Sequence, residues 1–259
     1  MGTRARDAGG PMRRARPSGS AQRAWAPTSP TCLKHRCHGP LGGLGMNSKI
    51  AALFVQTNGV YFNLPDVDPW DKERDARLYN GPFAVVSHPP CARWGRYWSG
   101  GPSARVRRVK GDDDGCFAAA LHFVRTWGGV LEHPEASSAW AAHDLLTPPR
   151  CGGWIMADWQ GGWTCCIEQG HYGHLARKAT WLYAAHIDLP SLCWGASTAR
   201  QRLDEGYHST EERRRVTRTG VCQLLSKRQR LATPVAFRDV LLAMARTATN
   251  TPERTRKVS

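Results

Sequence analysis

Apolar residues along this chain fall into short runs separated by polar and amphipathic stretches, the pattern of parallel strands joined by crossover helices. Strand-length apolar runs cover residues 50–55 and 83–87, and further strands are expected at 130–134, 154–157 and 180–184. Between the first two, residues 69–78 (PWDKERDARL) open with Pro and read as a short polar helix. Asp112, Asp113 and Asp114 precede GCFAAALHFVRTW, where Phe117, Leu121 and Val124 recur at helical spacing. Carboxylates at that point cap a helix and suit its dipole, so a helix is predicted over 114–127, stopped by Gly128 and Gly129. Near the end, Thr233-Pro234 starts a last helix whose stripe is Val235, Phe237, Val240, Leu241 and Met244. The class is α/β.

The chain has 259 residues, 41% of them hydrophobic, enough for one sizeable core. Its longest apolar runs are far shorter than the roughly 20 residues of a spanning helix, so no membrane partner is expected. No leader-like segment opens it, and its 9 irregularly spaced Cys read as reduced thiols, which together suggest a cytoplasmic protein.

The formal charge is +15. Residues 1–45 hold Arg4, Arg6, Arg13, Arg14, Arg16, Arg23, Lys34 and Arg36 against the single acid Asp7, and are rich in Gly, Pro and Ser. This stretch reads as a disordered basic tail. A more ordinary globular sequence begins at Met46, so the tail is equally a mis-assigned start. The domain expected is 46–250, with 251–259 a second disordered tail. Its remaining positive charge favours a polyanion such as DNA. Two basic regions stand out. The first, within 95–111, is a basic loop with Arg96, Arg105, Arg107, Arg108 and Lys110. The second, 200–230, is expected to become a helical arm from Thr210, and serves equally well as a solvated face.

The sharpest local feature is HPPCARWG, His88 to Gly95, directly after an apolar strand. Ligands of open α/β sheets bind outside the carboxyl ends of strands. Two prolines fix a rigid turn that presents Cys91, and Arg93 and Arg96 would supply a positive field to favour its thiolate. A buried structural cysteine is the plainer reading. Glu132 ends the next strand after one crossover helix, so it is expected beside Cys91, a nucleophile and a carboxyl facing one crevice.

HPPC after one strand and LEHP after the next resemble the catalytic pair of the cytosine-5 DNA methyltransferases, whose pattern has Pro-Pro-Cys followed by Glu-Asn. QGHYGHLARKATWLYAAHIDLPSL, from Gln169 to Leu192, is similar to a segment of compact phage-type members, and SKRQRLATPVAFRDVLLAMAR, from Ser226 to Arg246, to their closing Arg-Thr-Pro helix. The resemblance implies a truncated Rossmann-like methyltransferase sheet with crossover helices. It implies Cys91 as nucleophile toward carbon 6 of a flipped cytosine. Glu132 would hold ring nitrogen 3 and the exocyclic amine, and Arg177 or Lys178 would steady the base or an adjacent phosphate. S-adenosylmethionine is the implied methyl donor, with Asn58, Gly59, Asp68 and Pro89 as its contacts. Arg93, Trp94, Arg96, Arg105, Arg107, Arg108 and Lys178 would face the DNA, with Trp94 and Trp98 against a base. The chain departs from the pattern in three ways. The interval from Ile50 to His88 has room for two strands and one helix only, His133 stands where the family has Asn, and no long target-recognition segment is present.

A zinc site from Cys165, Cys166, His171 and His174 lacks the usual spacing, and CLKHRCH, Cys32 to His38, lies in the basic tail. The competing function is a catalytically inactive relative that binds nucleic acid without turnover. A weaker option is modification of a free nucleotide through the same thiol adduct.

Overall fold

The computed structural model describes residues 49–95, 98–100, 105–106, 108–201, 203 and 225–249. The expectations for both terminal tails, for Cys32 to His38, for Arg96 and Arg107, and for the arm beginning at Thr210 lie outside them.

Seven strands form one mixed sheet: β1 (Ile50–Leu53), β2 (Val67–Trp70), β3 (Ala84–Ser87), β4 (Gly129–Pro134), β5 (Ile155–Met156), β6 (Trp163–Glu168) and β7 (Ala179–Ala185), in the order β2-β1-β3-β4-β7-β6-β5. The first four run parallel; β7 is antiparallel to both β4 and β6, and β5 to β6. Central strands β1 and β3 are buried on both faces, which is why they read as continuous apolar runs.

Helix α1 (Cys116–Trp127) crosses from β3 to β4 and buries Phe117, Ala120, Leu121, Phe123 and Val124. Asp113 prepares its start by accepting from the amides of Gly115 and Phe117. A short helix, α2 (Ser138–Ala142), adds Trp140 to the same core. Next in the chain come α3 (Lys227–Leu231), closed by a capping box between Ser226 and Gln229, and α4 (Val235–Arg246). From α4, Phe237, Leu241, Leu242 and Met244 reach a second core on the opposite face of the sheet, against β1, β3 and β4. A mixed α/β sheet with helices on both faces is compatible with a Rossmann-like fold.

Three expectations need correction. Residues 69–78 are not a helix: Pro69 lies in β2, opposite Ala52, and only a single 3-10 turn forms, at Ala76–Leu78. The reason is topological, since β2 is the sheet edge, where a residue without an amide proton costs no ladder bond. The interval from Ile50 to His88 accordingly holds β1, β2 and β3 rather than two strands and a helix. Among the described cysteines, Cys91, Cys116, Cys165 and Cys166 are free thiols, but Cys193 is disulfide-bonded, against the expectation of reduced thiols throughout.

Strand alternation along β4 sends Glu132 and His133 to opposite faces. His133 goes into the α1 core, against Phe117 and Trp140, where neither ring nitrogen makes a hydrogen bond. Burial drives its pKa down to about 4, against the opposing pull of the Glu132 charge and the Pro90 carbonyl. The unfolded chain therefore takes a proton from about pH 6.5 downward that the folded protein refuses until about 4. Stability is expected to fall as pH drops through that window, with this ring contributing up to about 3 kcal/mol of the loss. Urea titrations near neutrality and near the bottom of the window test it, and His133→Leu is expected to flatten the difference.

Candidate functional site

Strands β3 and β4 are parallel neighbours with Ser87 opposite Leu131, so His88 and Glu132 emerge side by side at their carboxyl ends. The Nδ1 of His88 donates to Glu132 Oε2 at 2.9 Å. The far nitrogen, Nε2, meets the Tyr61 hydroxyl at 2.8 Å, bringing in the segment that follows β1. Gln169, just beyond β6, donates from Nε2 to Glu132 Oε1 at 3.1 Å and to Thr180 Oγ1 at 3.0 Å. Its Oε1 has no partner. The amide is turned this way because the opposite orientation would set its oxygen against an ionised carboxylate.

Glu132 is thus gripped from two elements, by His88 and Gln169. Burial raises its carboxyl, but the hydrogen bond from His88 and the charges of His88 and Lys178 outweigh that and hold it below the ordinary carboxylate range. It is an anion at neutral pH.

Cys91 follows Pro89 and Pro90 on the same edge and stays half-buried, open in part to solvent. Its thiol senses both Glu132 and Lys178. Burial first, and the Glu132 charge second, raise it above the ordinary thiol value, while Lys178 pulls the other way. Among the described residues, which leave out Arg96, the cation that acts on the sulfur is Lys178 rather than Arg93, and the net shift is upward. Arg93 instead donates to the Trp98 carbonyl at 3.4 Å.

Arg177 and Lys178 part company. Arg177 is exposed, and its carbonyl serves the β6–β7 connection by accepting from the Gly170 amide. Lys178 has a left-handed φ of 42° and sends Nζ to the Ala232 carbonyl at 2.9 Å. Burial lowers its ammonium below the usual lysine range, opposed by Glu132 and Cys91. The site's cation is therefore Lys178, where the sequence reading had put Arg177 first.

Trp94 is buried rather than offered to a base. Its indole N–H donates to Asp113 at 2.7 Å and its ring packs on Phe117, which fastens the Cys91 turn to the start of α1. Trp98 is half-buried, and Arg105 and Arg108 are exposed.

The strand order reverses direction between β1 and β3, and their carboxyl ends flank the crevice where open α/β sheets hold ligands. Asn58 and Gly59 form a tight turn there, with a Gly59-to-Gln56 hydrogen bond of 2.8 Å that leaves no room for a side chain at Gly59. Pro89 is buried beneath the Cys91 turn. Asp68 sits within β2 and is taken up by Arg74 at 2.7 Å and by the Trp70 indole. The carboxylate that does end β2 is Asp71, a residue given no role by sequence because that stretch read as helix. It too is engaged, by the Thr57 hydroxyl at 2.7 Å and the amides of Glu73 and Arg74. Both acids are thus engaged by the chain's own donors.

The zinc alternative fails on geometry. Cys165 and Cys166 point to opposite cores, His174 is held between Ala176 and Gln229, and His171 meets the Gly195 carbonyl. Compared with protein-family models, curated proteins and solved structures, the chain matches none.

Cys91 alkylation by iodoacetamide, followed site by site with mass spectrometry, is expected to have a pH midpoint above that of an ordinary thiol. Lys178→Met moves it further up and Glu132→Gln moves it down. A midpoint indifferent to both substitutions would dissolve the coupling among the three groups.

Proposed function

We propose that this chain is a cytosine-5 DNA methyltransferase-like protein whose Cys91 and Glu132 act on an extrahelical cytosine. One observation carries the reading: an ionised, half-hidden carboxylate is held at the tip of β4 while the Cys91 thiol and the Lys178 ammonium share its field. A cytosine matches that arrangement. Its exocyclic amine and a protonated ring nitrogen 3 are the two donors a carboxylate receives, and two of the four lone-pair positions of Glu132 are still open after His88 and Gln169. The Cys91 sulfur adds to ring carbon 6, nitrogen 3 takes a proton, and carbon 5 becomes nucleophilic. Lys178 stabilises the thiolate that must form first. The exposed Arg105 and Arg108 and the chain's surplus of basic residues suit a DNA backbone.

In the family this chain resembles, carbon 5 then receives a methyl group from S-adenosylmethionine. That donor would supply the methyl group, and this chain's own residues would supply the nucleophile and the grip on the base. The raised Cys91 thiol favours a second reading, a catalytically inactive relative that binds nucleic acid without turnover.

The test is incubation with labelled S-adenosylmethionine and a duplex containing 5-fluorocytosine, analysed under denaturing conditions. A methyltransferase forms a covalent adduct that Cys91→Ser abolishes, and Glu132→Gln slows adduct formation by about 100-fold or more. Equal, salt-sensitive retention of wild type and Cys91→Ser with no adduct would leave the binding-only reading. No heat and no thermal stabilisation from millimolar S-adenosylmethionine would remove the methyl donor.

A further inference from the structure

The sequence gives His88 no evident role, yet it occupies the centre of a polar chain in the site. Tyr61 comes from the segment after β1, His88 from the end of β3 and Glu132 from β4, with contacts of 2.8 and 2.9 Å. Three separate elements converge to fix both nitrogens of one imidazole. Such a ring can be locked in place, or it can pass a proton.

We propose that His88 is the proton source of this site, delivering through Glu132 the proton that ring nitrogen 3 of a bound cytosine takes as the Cys91 sulfur adds to carbon 6. The inference rests on the nucleobase reading above.

Cys91, open in part to solvent, first releases its thiol proton there, and from the thiolate onward the balance closes within the site. The Nδ1–H bond of a His88 imidazolium breaks, Glu132 carries the proton across, and an N–H bond forms on ring nitrogen 3. The thiolate electron pair becomes the sulfur–carbon 6 bond, and the electrons of the broken ring double bond settle over the protonated ring. One cation and one anion are consumed together, leaving neutral imidazole and neutral adduct.

Tyr61 decides which form of His88 can do this. A neutral ring carrying its proton on Nδ1 accepts the phenol's proton at Nε2. Giving up the Nδ1 proton would then pull the phenol proton away and leave a buried phenolate near Glu132. Burial and the Glu132 charge raise Tyr61 well above the ordinary phenol range, so that route is closed. An imidazolium instead donates to the phenol oxygen from Nε2 and releases Nδ1–H without making a second anion.

The charges around the pair come from every side. Lys178 and Cys91 face Glu132, His133 lies behind it on β4, and Arg238 and Asp239 of α4 act on Tyr61.

Two measurements on the full chain test this. In the first, nitrogen-15 NMR, assigned by difference against His88→Gln, is expected to show a proton on His88 Nδ1 in wild type. Glu132→Gln is expected to move that resonance upfield and speed its exchange with water. A His88 ring with a bare Nδ1, or one indifferent to Glu132→Gln, overturns the proposal whatever the protein's activity. In the second, the rate of adduct formation on 5-fluorocytosine DNA is followed against pH. Wild type is expected to follow Cys91 ionisation upward with pH and to carry a second, descending limb from its acid. His88→Gln keeps a donor toward Glu132 and is expected to be about 100-fold slower with no such limb. If wild type forms adduct and His88→Gln matches its rate and pH profile, His88 only positions Glu132 and the proposal fails alone. If wild type forms no adduct at any pH, the nucleobase reading fails and takes this one with it.

Discussion

The structure turns on keeping one carboxylate charged while it is mostly out of water. An isolated buried carboxylate would simply take up a proton. At Glu132 the desolvation is offset by His88 on one oxygen, Gln169 on the other, and the Lys178 ammonium beyond. Each partner arrives from a different part of the sheet, so the site exists only when β3, β4, β6 and β7 are all in register. The fold and the anion are in that sense one constraint.

The sheet topology explains why the partners can meet. Crossing through α1 makes β3 and β4 parallel, which puts His88 and Glu132 at the same end. Reversing direction at β7 then brings the β6–β7 turn, with Gln169 and Lys178, back to that end. A fully parallel continuation would have delivered only strand termini. The antiparallel return delivers a hairpin, and its left-handed Lys178 aims the ammonium at the carbonyl of Ala232 while its charge reaches Glu132 and Cys91. Loops on a rigid frame carry the chemistry because the frame alone fixes their separation.

What was legible in the sequence follows from which features are local. The stripe of Phe117, Leu121 and Val124 with Asp113 ahead of it specifies α1 by itself, and the apolar runs of β1 and β3 specify buried strands. Placing Cys91 and Glu132 at adjacent strand ends needed only one crossover between them. Residues 69–78 were misread because charge pattern and an opening Pro suit a first helical turn as well as an edge strand, and only sheet order distinguishes the two. The choice between Arg177 and Lys178 hung on hairpin register, which adjacent letters do not encode. Trp94 sits close to Cys91 in sequence, yet its indole N–H finds Asp113 and it becomes a structural pin. Tyr61 was invisible, since it approaches His88 from 27 residues away through an irregular segment with no period. The one available signal was His88 itself, a titratable ring beside two prolines.

Glu132 and Cys91 make opposed demands on their surroundings. The carboxylate is stabilised by every nearby cation, and its own charge discourages the thiolate, so Lys178 is shared between two anions of which one is always the stronger competitor. In the protein alone the carboxylate wins, and the sulfur rests as a thiol. On the proposed reading, the positive charge that leaves His88 reappears on cytosine nitrogen 3, between the two groups, where it offsets the Glu132 charge that discourages the thiolate. The nucleophile is thereby switched on by the ring it attacks, which protects a partly exposed thiol from adding to other electrophiles while the site is empty.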